Sequence, residues 1–251
     1  MTNQIHIAAQ YLATAGINFL TKKDDDSHTN LGFISEKGHL ETWPLNDKGY
    51  KLILEYAEFR LLWSTNDENE QAISLDGKTH QEIVQWIDSV TAVLGKNTAY
   101  NYQLHYDLPY EKITDDFVFQ KPSKEELNAL LEVRIIAQKA LEDIVRELEL
   151  DTAIRIWPHH FDTGGYAVLD ASKNISVGFG LAIPDTLVDD FYLYTSGYNS
   201  NGGIDTASFG KLTLGSWKNE GFKGAIAPMN GMDKAKAIAF FKETILTYKA
   251  L

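Results

Sequence analysis

Residues 155–166 read RIWPHHFDTGGY, which places two adjacent histidines, an aspartate and a pair of glycines within one short run. A neutral imidazole and a carboxylate can share a divalent metal, or the carboxylate can orient the imidazole as a general base. Pro158 biases Trp157 toward extended geometry. If the strand continues past it, Trp157, His159 and Phe161 share one face and His160 and Asp162 the other. His160 and Asp162 are then the catalytic candidates, with His159, His160 and Asp162 as the metal-ligand candidates. A catalytic zinc takes three protein ligands and water, so a metal site here needs a donor from elsewhere: Asp185, Glu220 or the DDDSH cluster at 24–28. The plain structural reading is that the histidines and Asp162 satisfy backbone groups at a strand end while Gly164 and Gly165 turn the chain.

Other residues are candidates for a binding wall. Tyr192, Tyr194 and Tyr198 flank a Gly/Asn/Ser loop and suit ring stacking. Gly178 and Gly180 lie inside a strand-like run, so they leave room for close approach beside Asp185 rather than cradle a phosphate. Trp157, His159, Asp185, Tyr192 and Tyr194 form the expected ligand set. Glu220, near a glycine-bounded turn, is the second catalytic carboxylate. The DDDSHTN run lacks the glycine and glutamate positions of an EF-hand loop and reads as an acidic turn. No G-x-S-x-G elbow and no P-loop is present.

The elements that must carry these residues follow from periodicity. Ile5, Ala8, Ala9, Leu12, Ala15 and Phe19 make a helical stripe ending near Lys22 and Lys23. LGFIS and HLETWPL flank EKG as a hairpin, and KLILEYAEFRLLWST is two strands or one bent one. Thr79 with Glu82 and Ser123 with Glu126 have capping-box spacing, each before an apolar stripe, and Gly95 stops the first of these helices. Strands return after Asp151 as TAIRIWP, GYAVLD, ISVGFGLAI, DFYLYTS, KLTLGSW and FKGAIAP. A last helix starts at Asp233. The expected class is α+β, with antiparallel sheets covered by helices. The expected organisation is an α+β half at 1–121, a long helix at 122–150 and a second α+β half at 151–251. Trp43-Pro44 and Trp157-Pro158 hint that the halves are similar.

The 251 residues carry a formal net charge of −12 and no Lys/Arg cluster, which disfavours a nucleic-acid partner and an anionic membrane surface. Without cysteine there is no disulfide scaffold, thiolate site or cysteine nucleophile. The first twenty residues lack a basic n-region, and no apolar run nears the ~18 residues of a membrane span. A cytoplasmic protein is expected, its oligomeric state open.

WPHHFDTG, VGFGLAIPD, DFYLY and WKNEGFKGAI, with KKDDDSHTNLGF near the start, resemble an uncharacterised bacterial protein family marked by a W-P-H-H-F-D run. More remotely, the order of elements is similar to that of another family of unknown function that keeps the Phe-Asp pair but has small residues at the positions of His159 and His160. The resemblance implies a shared fold and no particular activity. Three functions stay open: a small-molecule site around WPHHFD, a metal-dependent hydrolase-like enzyme, and a structural or partner-binding protein.

Overall fold

The computed structural model describes residues 3–65, 70–95 and 99–251. Two compact units divide the chain, the first comprising Met1–Leu131 with Ile156–His160, the second Glu132–Arg155 with Phe161–Leu251. The chain thus passes between units three times, and the long helix expected to link two halves contributes to both. The class is α+β with two antiparallel sheets.

In the first unit, α1 (Asn3–Phe19) is buried all round from Ile5 to Gly16, as a largely apolar helix inside a core should be. Beside it lies a five-stranded meander: β1 (Gly32–Ile34), β2 (His39–Glu41), β3 (Lys51–Glu55), β4 (Arg60–Ser64) and β5 (Gln71–Ser74), paired in chain order. KLILEYAEFRLLWST is two strands, because Phe59 takes a left-handed φ of 49° and closes a turn between them. Helix α2 (His80–Thr91) starts on the expected reciprocal Thr79–Glu82 capping box. Gly95, at φ 62°, ends the 3-10 turn that follows it.

Residues 99–121 contain neither helix nor strand, although Tyr100, Tyr102, Leu104, Tyr106, Leu108 and Tyr110 alternate with polar residues as strand residues do. Burial follows that alternation. The segment is irregular, bending at 105–106 and 109–110, and up to Tyr110 it packs on a helix instead of pairing into a sheet; near its end Val118 makes an isolated antiparallel bridge with Thr79.

Helix α3 (Lys124–Glu147) begins on a second capping box, in which Ser123 N donates to Glu126 Oε2 at 2.9 Å and Glu126 N to Ser123 Oγ at 3.2 Å. Strand β6 (Arg155–Trp157) carries the chain from the second unit into the first. There Ile156 exchanges two 2.9 Å backbone bonds with Leu31.

The second unit is built on β7 (Asp162–Asp170), β8 (Ile175–Ala182), β9 (Tyr192–Asn199), the two-residue β10 (Gly202–Gly203), β11 (Ser216–Lys218) and β12 (Gly224–Pro228). The order β11-β12-β9-β8-β7 is antiparallel throughout, with β10 on β9. KLTLGSW forms a strand only from Ser216, after Gly215 takes φ 76°. Val177, Phe179, Leu181, Leu193 and Thr195 are buried on the sheet face that meets α4 (Lys234–Lys249). Phe179 and Phe241 rings are 6.2 Å apart there, and the Thr244 and Thr195 hydroxyls 3.0 Å. No helix among the described residues is long and apolar enough to cross a membrane.

Candidate functional site

The WPHHFD run does not continue as a strand. Residues 158–161 form a turn; proline has no N–H for a ladder, and Phe161 sits at φ 59°. The expected alternation of Trp157, His159 and Phe161 against His160 and Asp162 is therefore corrected. Instead, the rings of Trp157, His159 and His160 meet in sequence within the first unit, edge to face and then tilted, with centroids 6.4 Å and then 4.3 Å apart. His159 is half-buried and His160 exposed. Neither imidazole has a hydrogen-bond partner among the described residues. Burial holds the His159 pKa below its ordinary value, reinforced by His160 and His105 and opposed by Asp26.

The most heavily bonded atom of the run is a backbone oxygen. The Pro158 carbonyl accepts from His6 Nε2 at 2.8 Å and from Gln10 Nε2 at 2.9 Å, both side chains fully buried on α1. A carbonyl only accepts, so His6 Nε2 carries a proton, and in the neutral ring Nδ1 is then the acceptor. The Tyr110 hydroxyl, 3.0 Å away, donates to it. Gln10 Oε1 accepts from the Tyr106 hydroxyl at 2.7 Å, and Gln10 Nε2 also donates to the His6 carbonyl. One turn pair beyond, Asn18 and Asn101 exchange two bonds of 2.9 and 3.0 Å. The segment therefore runs antiparallel along α1, with 101, 106 and 110 matched to 18, 10 and 6. His6, Gln10, Thr14 and Asn18, four residues apart, form the polar stripe that receives it.

This segment walls a cavity of about 780 Å³, lined by residues 102–108 and 110–113 and by Ile7 of α1. Burial pushes the phenols of Tyr102, Tyr106 and Tyr110 above their ordinary pKa, so they remain neutral. Behind Tyr106 stands His159, with ring centroids 5.7 Å apart. At the cavity edge His105 Nε2 lies 3.2 Å from Asp26 Oδ2, and Asp26 itself is held at φ 57°. The DDDSHTN turn thus does reach a histidine, though by way of His105. Asp25 is spent on the Ser27 amide, and His28 is buried, which lowers its pKa. Among the described residues no three His, Cys, Asp or Glu side chains are grouped to hold a metal ion.

The remaining candidates belong to the second unit. Asp162, the first residue of β7, accepts at Oδ2 from the Tyr194 hydroxyl, and both burial and that carboxylate hold the phenol neutral. The register explains the reach. Tyr194 pairs with Gly180, and Gly180 with Gly164. The Tyr194 ring spans the two glycines, its hydroxyl 2.9 and 3.0 Å from where their Cβ atoms would stand. The space over Gly180 is thereby filled from within the sheet. Asp185 is exposed and caps its own turn, accepting from the amides of Leu187 and Val188 and, at 2.7 Å, from the Tyr192 hydroxyl. Arg134 of α3, 1% exposed, donates to the Phe161 carbonyl and the Thr163 hydroxyl and lies over the Phe161 ring, fixing the end of the turn. Glu220 is exposed in the bend between β11 and β12.

The candidate residues therefore gather into two sets: Trp157, His159 and His160 in the first unit, and Asp162, Asp185, Tyr192 and Tyr194 in the second. What residue-by-residue reasoning passed over is the 102–113 wall and its anchors His6 and Gln10. The four-residue polar spacing in an otherwise apolar helix was the available signal. No family model, no curated protein and no solved structure matches the chain.

Proposed function

We propose that the first unit binds a small molecule in the cavity walled by residues 102–113. The WPHHFD run serves that site from behind, through the Pro158 carbonyl and the His159 ring. One observation carries the reading: two tyrosines of the wall are held by part-buried bonds to α1 side chains that are themselves fixed by buried bonds to Pro158. A wall positioned in this way is organised before any ligand arrives, which lowers the cost of binding. Its volume suits a small organic molecule.

The test is a thermal-shift screen of small molecules on the parent protein and on Leu108→Trp, which fills the cavity from its own lining. Stabilising ligands are expected to lose their effect in Leu108→Trp and, in the parent, to slow hydrogen exchange across residues 102–113. Ligands that stabilise both proteins equally, or that protect only β7–β9, would overturn the reading.

A further inference from the structure

We infer that the cavity of the first unit selects an amphipathic organic cation, an ammonium head carrying an apolar body. The inference rests on the proposal that this cavity is the binding site, and it adds the ligand's chemical class.

Three tyrosines, Tyr102, Tyr106 and Tyr110, line the cavity at four-residue intervals. Two of the three hydroxyls already donate into α1, to Gln10 and His6. Those two residues consequently bring ring carbon to the cavity, not a free donor. Neutral phenol rings attract a cation through their quadrupole, and burial keeps these phenols neutral. An anion would find no positive charge on those rings and no spare hydroxyl on Tyr106 or Tyr110.

The charge of the lining points the same way. Asp107 and Glu111 are carboxylates of the wall, both exposed; Lys112 is the lysine of the same stretch, and the His105 imidazole lines the cavity facing Asp26. Lys112 lies 3.8 Å from Asp107 with both side chains about nine-tenths exposed; such a surface pair is weak and easily exchanged. Glu111 has no ion pair among the described residues. Beyond the wall, Asp115 and Asp116 continue the acidic run, and the whole chain carries −12. The long-range field therefore draws cations toward this face. A bare ammonium would leave most of about 780 Å³ unfilled. Of the remaining lining, Ile7, Leu104, Leu108 and Ile113 are aliphatic and suit an apolar body, beside the polar Gln103 and His105.

The experiment is isothermal titration of the full chain with four probes. Hexyltrimethylammonium supplies head and body, choline the head, 3,3-dimethyl-1-butanol the same head shape without charge, and 1-hexanol the body alone. Hexyltrimethylammonium is expected to bind at least about tenfold tighter than choline, since its chain buries several methylenes. 3,3-Dimethyl-1-butanol is expected to give no measurable heat. Asp107→Asn/Glu111→Gln changes only exposed groups, so it keeps the fold and weakens hexyltrimethylammonium severalfold. Tyr102→Leu, with its fold checked by circular dichroism, weakens it by about two- to thirtyfold.

The failures are separable. Equal affinity for 1-hexanol and hexyltrimethylammonium, both lost in Leu108→Trp, would overturn the cation class and leave the cavity as the site. Absence of binding by both ammonium probes at millimolar concentration would overturn the class alone. Ammonium binding unchanged by Leu108→Trp would overturn the class and the cavity together.

Discussion

In the first unit the side-chain bonds that shape the candidate site join residues 96 to 152 positions apart. In the second, the Tyr194–Asp162 and Tyr192–Asp185 bonds span 32 and 7 positions. All seven histidines lie in the first unit and none in the second. The two units thus place polar groups by different means. The second uses strand register: once β7, β8 and β9 pair, Tyr194 must cross Gly180 and Gly164 to reach Asp162. The first uses a helix stripe, an irregular segment and a turn that lie far apart in the sequence. Register gives a rigid arrangement already filled by its own side chains. Assembly from distant pieces leaves a cavity where the pieces do not quite close.

The sharpest way to break the register arrangement is Gly180→Ala. Its Cβ would stand 2.2 Å from the Thr163 carbonyl oxygen and 2.9 Å from Gly164 Cα, both backbone atoms that cannot swing aside. A loss of about 3 kcal/mol is expected by urea denaturation, at the upper end of overpacking costs. Gly178, two residues earlier on the same strand, is the control. A Cβ there meets the Tyr198 ring at an ordinary 3.6 Å, so Gly178→Ala should be tolerated. Equal effects at the two positions would refute the close-approach account.

The first unit breaks at Gln10. Gln10→Leu removes the acceptor of the Tyr106 hydroxyl and one donor each from the Pro158 and His6 carbonyls. Leaving buried groups unsatisfied costs about 2 kcal/mol here. Adding Tyr106→Phe removes the stranded hydroxyl, so the double variant should be less destabilised than the two single changes combined, with a coupling of about 1 kcal/mol. Strict additivity in that cycle would mean that the tie between α1 and the wall contributes nothing.

The same contrast decides what was legible in the sequence. Capping boxes at Thr79 and Ser123, the hairpin at EKG and the strand character of ISVGFGLAI are local, and propensity and periodicity suffice to read them. Asp162, Tyr192, Tyr194 and Asp185 stand out within their own segments; strand pairing explains the Tyr194–Asp162 contact, and a local turn brings Asp185 to Tyr192. The wall is different. The alternation of Tyr100 through Tyr110 reads as a strand, and nothing in it reveals that its partner is the His6–Gln10–Asn18 stripe of a helix some ninety residues earlier. The WPHH run was read for its imidazoles, yet its most bonded atom is a carbonyl, which every residue possesses. Chemistry carried by a backbone oxygen leaves no mark in residue type.

Histidine content turns the comparison into a pH dependence. Burial lowers the pKa of His28, His80 and His159, all in the first unit. For His80 the neutral ring also fits its 2.7 Å contact with the Tyr11 hydroxyl, which donates to a deprotonated Nδ1. A histidine whose folded pKa lies below the unfolded value near 6.5 binds fewer protons folded than unfolded in the interval between the two. Stability contributed by the neutral ring is then complete above about pH 7 and declines as pH falls through 6.5, with a slope of at most about 1.4 kcal/mol per pH unit for each such group. In the second unit the shifted acids are carboxylates. Asp143, held down by Lys234, and Asp170, held down by Ser172, contribute stability that is lost only as pH drops below the ordinary carboxylate range near 4. Hydrogen exchange at pH 7.5 and 5.5, corrected for intrinsic rates, should therefore show residues 80–110 opening more readily at the lower pH while β8 and β9 keep their protection. His80→Gln should flatten the response around α2. If β8 and β9 lost protection to the same degree at pH 5.5, or if His80→Gln left the slope untouched, the acid sensitivity would not arise from the buried imidazoles, and the division of labour between the two units would lose its electrostatic half.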